Sequence, residues 1–183
     1  LEVRAAYLQL EGEIADNLRG SIGLRHEDAT QQVRPYDIFT GAEVDPPAPL
    51  ENDYLLPAFT VTWNLADNQQ LRFGGSETIA RPQFRELSPL QYTDPDNDRL
   101  YYGNPNLVDS KLRNFDLRYE RYFAEGEYFT VGAFYKQLDK PIEATVNESG
   151  AVLFQSFFNA PRATIKGLEL DARKYFPAPA ALS

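Results

Sequence analysis

Four short turns recur at nearly even intervals along this chain, and stretches of alternating apolar and polar residues flank them. Between consecutive turns lie one strand-like stretch, one long polar loop and a second strand-like stretch. Alternation with a period of two is typical of β-strands that have one apolar face. Tight turns at one end and long loops at the other predict a wall of up-and-down β-hairpins, as in membrane-spanning β-barrels. The turns are Ala15-Asp16-Asn17, Ala66-Asp67-Asn68, Ala124-Glu125-Gly126 and Pro177-Ala178-Pro179.

The alternating stretches predict about seven antiparallel strands and an all-β fold. The first stretch, roughly Glu2 to Ile14, is the least regular. After the first turn the pattern sharpens, with apolar side chains on one face and charged ones such as Arg19 and Arg25 on the other. The predicted apolar faces carry Leu18, Gly20, Ile22 and Leu24; Leu55, Pro57, Phe59, Val61, Trp63 and Leu65; Leu71 and Phe73; Phe115, Leu117 and Tyr119; Phe129, Val131, Ala133 and Tyr135; and Leu168, Leu170 and Ala172.

Three long polar loops separate the hairpins, at about residues 31–53, 81–109 and 139–161. The first contains Pro46, Pro47 and Pro49, which exclude a central strand because proline has no amide hydrogen for the strand ladder. The loops are therefore predicted to project from one end of the wall, opposite the short turns.

The bulk composition excludes several kinds of function. The 183 residues include 18 Lys+Arg and 27 Asp+Glu, for a formal net charge of -9, whereas nucleic-acid binding needs a basic surface. No apolar run approaches the roughly 18 residues of a membrane-spanning helix, and alternating barrel strands would not contain one. Cysteine is absent, which excludes disulfides and thiol chemistry. No cofactor is predicted.

Aromatic residues flank the short turns and favour a membrane barrel over a soluble protein. Trp63 precedes one turn, and aromatic pairs accompany two others, namely Tyr122 and Phe123, Tyr128 and Phe129, and Tyr175 and Phe176. Amphipathic rings at one level of successive hairpins form a belt at a membrane–water interface. The alternative is a soluble, secreted β-sandwich that binds a ligand such as a carbohydrate, since sandwich strands alternate too.

An ordered series of motifs on these strands resembles the β-barrel domain of TonB-dependent outer-membrane receptors. The series comprises Arg81-Pro82 at the top of one strand, Gly103-Asn104-Pro105-Asn106-Leu107 before the next, and Gly167-Leu168-Glu169-Leu170 in the last. Each motif alone is loose, and their order on hairpin-spaced strands is more specific. The resemblance extends from about Val3 to Phe176.

This resemblance implies a large barrel of about 22 strands in the bacterial outer membrane, filled by a plug domain. It also implies energised uptake of a scarce ligand such as a siderophore–iron complex, vitamin B12 or a saccharide. The implied partners are outer-membrane lipid, the TonB complex acting through the plug and its TonB box, and the small-molecule ligand.

The chain departs from the pattern of a whole receptor. Neither a plug nor a TonB box is recognisable, and the sequence ends in Ala180-Ala181-Leu182-Ser183 without a terminal aromatic. Residues 1–183 are therefore expected to be a partial barrel domain that lacks the plug and the closing strands. Such a segment is expected to supply scaffold and loops and to carry no catalytic residue, so the chain is not predicted to be an enzyme.

The candidate ligand-binding residues lie in the second long loop. Arg81 and Arg85 could meet an anionic ligand, since guanidinium groups form paired hydrogen bonds with carboxylates and phosphates. They could equally pair with Glu86 or a neighbouring wall residue. Tyr92, Tyr101 and Tyr102, like Tyr36 and Phe39 in the first loop, could stack on a ligand or pack the loops together.

Other polar motifs have simpler interpretations. Gly103 to Leu107 is interpreted as a turn into a strand, in which glycine relaxes the backbone and Pro105 fixes it. Asp94 to Asp98 resembles the start of a calcium loop, but Arg99 and Pro105 stand where that loop needs Gly and Glu. His26 is the only histidine and is placed near the upper rim of the wall. No metal site is predicted.

Overall fold

The computed structural model describes residues 1–37, 40–94, 99–149 and 152–176. It consists almost entirely of β-strands. In chain order the elements are β1 Glu2–Ala15, β2 Leu18–Gln31, β3 Leu50–Ala66, β4 Gln69–Ala80, α1 Phe84–Leu87, β5 Gln91–Asp94, β6 Arg99–Tyr102, β7 Ser110–Ala124, β8 Glu127–Asp139, β9 Ile142–Ser149, β10 Val152–Asn159 and β11 Arg162–Arg173.

Seven strands form one antiparallel sheet in the order β1-β2-β3-β4-β7-β8-β11, which we call the wall sheet. Two-residue turns at Asp16-Asn17, Asp67-Asn68 and Glu125-Gly126 join its hairpins at one end. Gly126 has φ of 73°, a left-handed conformation that glycine adopts without steric cost. The predicted up-and-down hairpins are confirmed for these three turns, and the fourth, Pro177-Ala178-Pro179, lies outside the described residues.

The wall sheet has one apolar and one polar face, in the predicted alternation. Cross-strand rows such as Val61–Phe73–Leu117 bring apolar side chains together. This face is exposed, with Leu168 at 79% of its maximal accessibility. A β-sandwich would bury such faces between two sheets. No second sheet covers this face in the described part of the chain, so the sandwich alternative is wrong.

The aromatic belt is smaller than the sequence predicted. Trp63 and Phe129 occupy the apolar face, opposite Leu71 and Ala172 on neighbouring strands. The hydroxyls of Tyr122 and Tyr128 instead donate hydrogen bonds to carboxylates of the polar face, at 2.5 Å to Glu120 Oε2 and 3.1 Å to Asp171 Oδ2. Adjacent strand residues point to opposite faces, so only one ring of the Tyr122–Phe123 pair and one of the Tyr128–Phe129 pair can join the belt.

The second and third long loops contain a second sheet that the sequence did not predict. Its four strands have the order β5-β6-β10-β9, and we call it the loop sheet. β6 and β10 run parallel, with Tyr101 opposite Gln155, whereas the other pairs are antiparallel. The helix α1 has four residues, and within the described ranges no helix has the length and apolarity to cross a membrane.

The small hydrophobic core belongs to the loops. Leu87, Leu107 and Phe157 are buried together, and Val33, Tyr101 and Ile142 pack against them. These residues come from all three long loops and their strands, so apolar burial holds the loops to one another at the upper end of the wall.

Gly103 fits this core because of close packing. A Cβ atom on Gly103 would come within 2.8 Å of the carbonyl oxygens of Arg85 and Glu86 and would also contact that of Ser88. Its φ is not in the left-handed region, so the expectation that glycine relaxes the backbone here is wrong. The absent side chain allows the Tyr102-Gly103 backbone to lie against α1.

Replacing Gly103 with alanine should therefore loosen the loop sheet. The new methyl group displaces backbone carbonyls, for an expected destabilisation of about 1–3 kcal/mol. Hydrogen–deuterium exchange of the full-length protein should show faster exchange in β6 and α1. Gly12→Ala is the matched control, because nothing lies within 4 Å of a Cβ there. Equal exchange in both variants would contradict the packing role.

Candidate functional site

Two asparagine side chains join the second and third long loops. Asn104 Nδ2 donates to the Phe157 carbonyl at 3.0 Å. Asn159 accepts from the Val108 amide and donates to the Val108 carbonyl, both at 2.9 Å, and its Nδ2 also lies 2.8 Å from the Lys140 carbonyl. Buried backbone groups need such partners, so these residues make the two loops one structural unit. The Gly103–Leu107 motif is part of this junction.

Two of the predicted loop tyrosines pack within the loop sheet. The rings of Tyr92 and Tyr101 stack at 5.1 Å with an interplanar angle of 11°, and Tyr101 lies 6.4 Å from Phe157. Of the two roles left open by the sequence, the structure places these two rings in loop packing. Tyr102 is the next residue along β6 and therefore points to the opposite face, where it is 49% exposed.

Arg81 forms an ion pair with a wall residue, the second of the two roles expected for it. Its guanidinium donates to Glu27 Oε1, and Arg25 contacts the other oxygen at 2.7 Å. Glu27 is only 6% exposed. A buried carboxylate needs this compensation, so Arg81 and Arg25 together hold Glu27 at the upper end of β2.

Arg85, in contrast, is exposed on α1. Gly103 lies against the backbone of α1, and this contact brings Arg85 and Tyr102 to neighbouring positions. The predicted set thus separates into Arg81 paired with a wall residue, Tyr92 and Tyr101 within the loop sheet, and two exposed residues, Arg85 and Tyr102.

The sequence did not indicate the buried carboxylate of Asp109, whose pKa the charge of Arg81 affects. Asp109 Oδ2 accepts hydrogen bonds from the Tyr54 hydroxyl at 3.0 Å and from Asn52 Nδ2 at 3.2 Å. Asp109 is 8% exposed. Burial raises the pKa of its carboxyl above the ordinary 3.8, against the opposing effects of the Tyr54 hydrogen bond and the Arg81 charge. An aspartate at the end of a loop gives no sequence signal of such burial.

The polar face of the wall sheet is charged, as predicted. A groove of about 380 Å³ on this face is lined in part by Arg72, Arg118 and Glu169. Arg72 and Arg118 are register partners on β4 and β7. Such a face suits an aqueous lumen that is filled by another part of a protein.

The remaining motifs contribute less to the site. His26 is on β2, where its Nε2 lies 2.8 Å from Asp53 Oδ2 at the upper rim, as expected. Tyr36 is exposed in the first long loop. Phe39 and most of the calcium-like segment from Asp94 to Asp98 lie outside the described residues.

Comparisons with known proteins identify the architecture. A family profile described as "TonB dependent receptor-like, beta-barrel" matches residues 2–181. Among solved structures, the siderophore receptor PirA of Pseudomonas aeruginosa aligns with a TM-score of 0.69 at 18% identity, over 93% of this chain and 30% of that one. No match was found among curated proteins.

Two other solved structures also align with most of this chain. The hemophore receptor HasR of Serratia marcescens, in complex with its hemophore HasA and heme, aligns with a TM-score of 0.67 at 14% identity, over 93% of this chain and 31% of that one. The copper transporter OprC aligns with a TM-score of 0.71 at 18% identity, over 92% of this chain and 26% of that one. The chain thus spans about a third or less of these structures, and the predicted wall of a large barrel is confirmed.

Removing Arg81 should destabilise the upper wall. Arg81→Ala leaves Glu27 buried with one cation, for an expected loss of about 1–3 kcal/mol. Thermal unfolding of the full-length protein in detergent would measure it. Arg34→Ala, at an exposed arginine of the first long loop, is the control and should change stability by less than about 0.5 kcal/mol. Equal effects of the two substitutions would contradict the role assigned to the Glu27 ion pair.

Asp109 should make stability depend on pH. The folded protein holds the Asp109 proton more tightly than the unfolded chain, so folding takes up a proton between pH 3.8 and the raised pKa. Lowering the pH through this window should stabilise the wild-type protein relative to Asp109→Asn, with no further gain below 3.8. Melting temperatures across a pH series would measure the difference. A difference that is flat, or that shrinks as the pH falls, would contradict the assignment.

Proposed function

Because the chain belongs to the β-barrel family of TonB-dependent receptors, we propose that it forms part of the wall and extracellular mouth of an outer-membrane uptake receptor. The observation that carries this proposal is the family match over residues 2–181, on a wall sheet whose apolar face is exposed. A sheet face of this kind suits contact with lipid, because every strand but the two at the edges is hydrogen-bonded on both sides.

In this proposal residues 1–183 are a partial barrel domain in the bacterial outer membrane. Seven strands are roughly a third of a barrel of about 22 strands. The rest of the barrel, the plug and the TonB-contacting segment are supplied by other parts of the receptor. The net charge of -9 remains unfavourable for a nucleic-acid partner.

In the proposed mechanism this segment and the plug have different roles. The joined loops bind the ligand at the outer end, and the charged polar face lines the lumen through which the ligand passes. Force transmitted by TonB moves the plug. The chain's own contribution is binding and scaffolding, with no chemical step.

The two exposed residues of the predicted set, Arg85 and Tyr102, favour an anionic, partly planar ligand such as a metal chelate. A guanidinium recognises anionic oxygens through paired hydrogen bonds, and a tyrosine ring stacks on flat groups. Uptake of a siderophore–iron complex fits both, and solved structures of similar fold include receptors named for siderophores and a hemophore. A neutral saccharide would leave Arg85 without an anionic partner.

Substitutions at the pair test this proposal. Arg85→Ala and Tyr102→Ala in the full-length receptor should each weaken chelate binding about tenfold, the loss expected for a contact of roughly 1.4 kcal/mol. Calorimetric titration with a panel of ferric siderophores and heme would measure it. Arg173→Ala, near the short-turn end of β11, is the control. Unchanged affinity in both variants would refute the site, and saturable binding of a saccharide alone would refute the ligand class.

A further inference from the structure

A polar cleft opens at the short-turn end of the wall sheet, between its first two turns. Its volume is about 480 Å³. The lining consists of Asp16 and Asn17 in the first turn, residues 64–70 around the second turn, and Tyr122 on β7. We call it the turn cleft. It lies at the opposite end of the strands from the loop sheet and from the predicted ligand-binding residues.

Hydrogen bonds between neighbouring hairpins fix the walls of the turn cleft. The Asn64 amide donates to the Asn17 carbonyl at 2.8 Å, so the first turn is held against β3. The Tyr122 amide donates to the Asn68 carbonyl at 2.9 Å, and Asn68 Nδ2 donates to the Tyr122 carbonyl at 3.0 Å. Each turn is therefore held by the next hairpin, and the cleft does not need a ligand to form.

The lining carries amide side chains that are free to bind a ligand. Asn64 and Gln70 are register partners on the polar face, and Asn17 lies beside them. Within residues 1–37, 40–94, 99–149 and 152–176, the side chains of these three residues form no hydrogen bond. Each such amide offers two N–H donors and a carbonyl acceptor. A ligand that itself carries both donors and acceptors would satisfy them.

The Tyr122 ring provides a fixed flat surface at the same cleft. Its hydroxyl donates to Glu120 Oε2 at 2.5 Å, and Glu120, only 5% exposed, is also paired with Arg118 at 2.8 Å. The ring is nevertheless 47% exposed. A ring held in place in this way loses little side-chain freedom when a ligand stacks on it.

The chemistry of the lining favours a neutral sugar that carries acetamido groups. An acetamido group has one N–H donor and one carbonyl acceptor, which complement the primary amides of Asn and Gln. The apolar face of a sugar ring can pack on a tyrosine ring. Among the described residues of the lining, Asp16 and Asp67 are the charged ones, so an anionic ligand would be repelled.

We propose that the turn cleft binds N-acetylated sugar units of a glycan chain. The source of the glycan rests on the orientation given under the proposed function, which puts the short turns on the periplasmic side. The cell-wall glycan on that side is built from such units. Binding there would attach the receptor to a fixed polymer while TonB exerts force on the plug.

The experiment measures the binding of two soluble tetrasaccharides to the full-length receptor in a detergent without sugar groups. The probe is the tetramer of N-acetylglucosamine. Its match is the β-1,4-linked glucose tetramer, which has hydroxyl groups in place of the acetamido groups. Ligand-observed NMR titration should show saturable binding of the acetylated probe, at least about tenfold tighter than that of its match, the effect of one to two hydrogen bonds. Equal affinities, or no binding of either, would overturn the proposal.

A matched pair of substitutions assigns the binding to the cleft. Gln70→Leu removes one free amide and should weaken binding of the acetylated probe about fivefold, the effect of one hydrogen bond. Gln9→Leu makes the same change at an exposed glutamine of β1, away from the cleft, and should leave the affinity unchanged. Equal losses in the two variants, or an unchanged affinity in Gln70→Leu, would overturn the assignment.

A second pair of variants isolates the ring of Tyr122. Tyr122→Phe and Tyr122→Leu both remove the hydroxyl that contacts Glu120, but only Tyr122→Leu removes the ring. The affinity for the acetylated probe should therefore be at least about threefold lower in Tyr122→Leu than in Tyr122→Phe. Equal affinities would show that the sugar does not stack there and would contradict the proposed site.

Sedimentation with purified cell-wall sacculi tests the source of the glycan. The full-length receptor should co-sediment with the sacculi, and Gln70→Leu should do so less. Equal sedimentation of the two proteins would refute the cell wall as the source.

Failure of this inference is distinguishable from failure of the proposed function. A receptor that binds its chelate but binds both tetrasaccharides equally refutes the turn cleft alone. Arg85→Ala should weaken chelate binding and keep sugar binding, because the two sites lie at opposite ends of the strands. Sugar binding that is lost in Arg85→Ala and kept in Gln70→Leu would place the sugar at the loop end and refute both proposals.

Discussion

The continuous antiparallel ladder of the wall sheet is the constraint on which everything else depends. Its hydrogen bonds satisfy the backbone groups between strands, so the side chains alone determine what each face contacts. Side chains alternate between the two faces of a strand with a period of two residues. The same ladder therefore presents an apolar face on one side of the sheet and a charged face on the other. The charged groove and the exposed apolar rows are consequences of one register.

Above the wall, stability comes from different interactions. The loop sheet has short strands, a core of a few apolar side chains and asparagine contacts to backbone carbonyls. The ion pair of Arg81 with Glu27 connects this unit to the strand beneath it. The upper structure is therefore specified by individual residues, whereas the wall is specified by a repeating pattern that tolerates many substitutions.

This difference explains what the sequence could predict. The strands, three turns and both faces follow from local alternation, which is visible in neighbouring residues such as Leu117 and Arg118. The prediction that Tyr122 and Tyr128 join the aromatic belt was wrong because it assigned both members of each adjacent aromatic pair to the same face of the strand. The loop sheet depends on the parallel pairing of Tyr101 with Gln155, and no local pattern signals a partner that distant. Likewise the Arg81–Glu27 pair and the burial of Asp109 arise only once the strands are aligned, so the sequence could not separate the candidate residues that pack from those that are exposed.

The parallel pairing of β6 with β10 has a consequence for the order of assembly. β7, β8 and β9 lie between these two strands in the chain, so pairing Tyr101 with Gln155 closes a loop of 54 residues. Contacts between distant segments carry a loop-closure cost that earlier contacts must offset. The surface of β6 that carries the exposed Tyr102 is therefore expected to order late, after the wall strands that lie between β6 and β10.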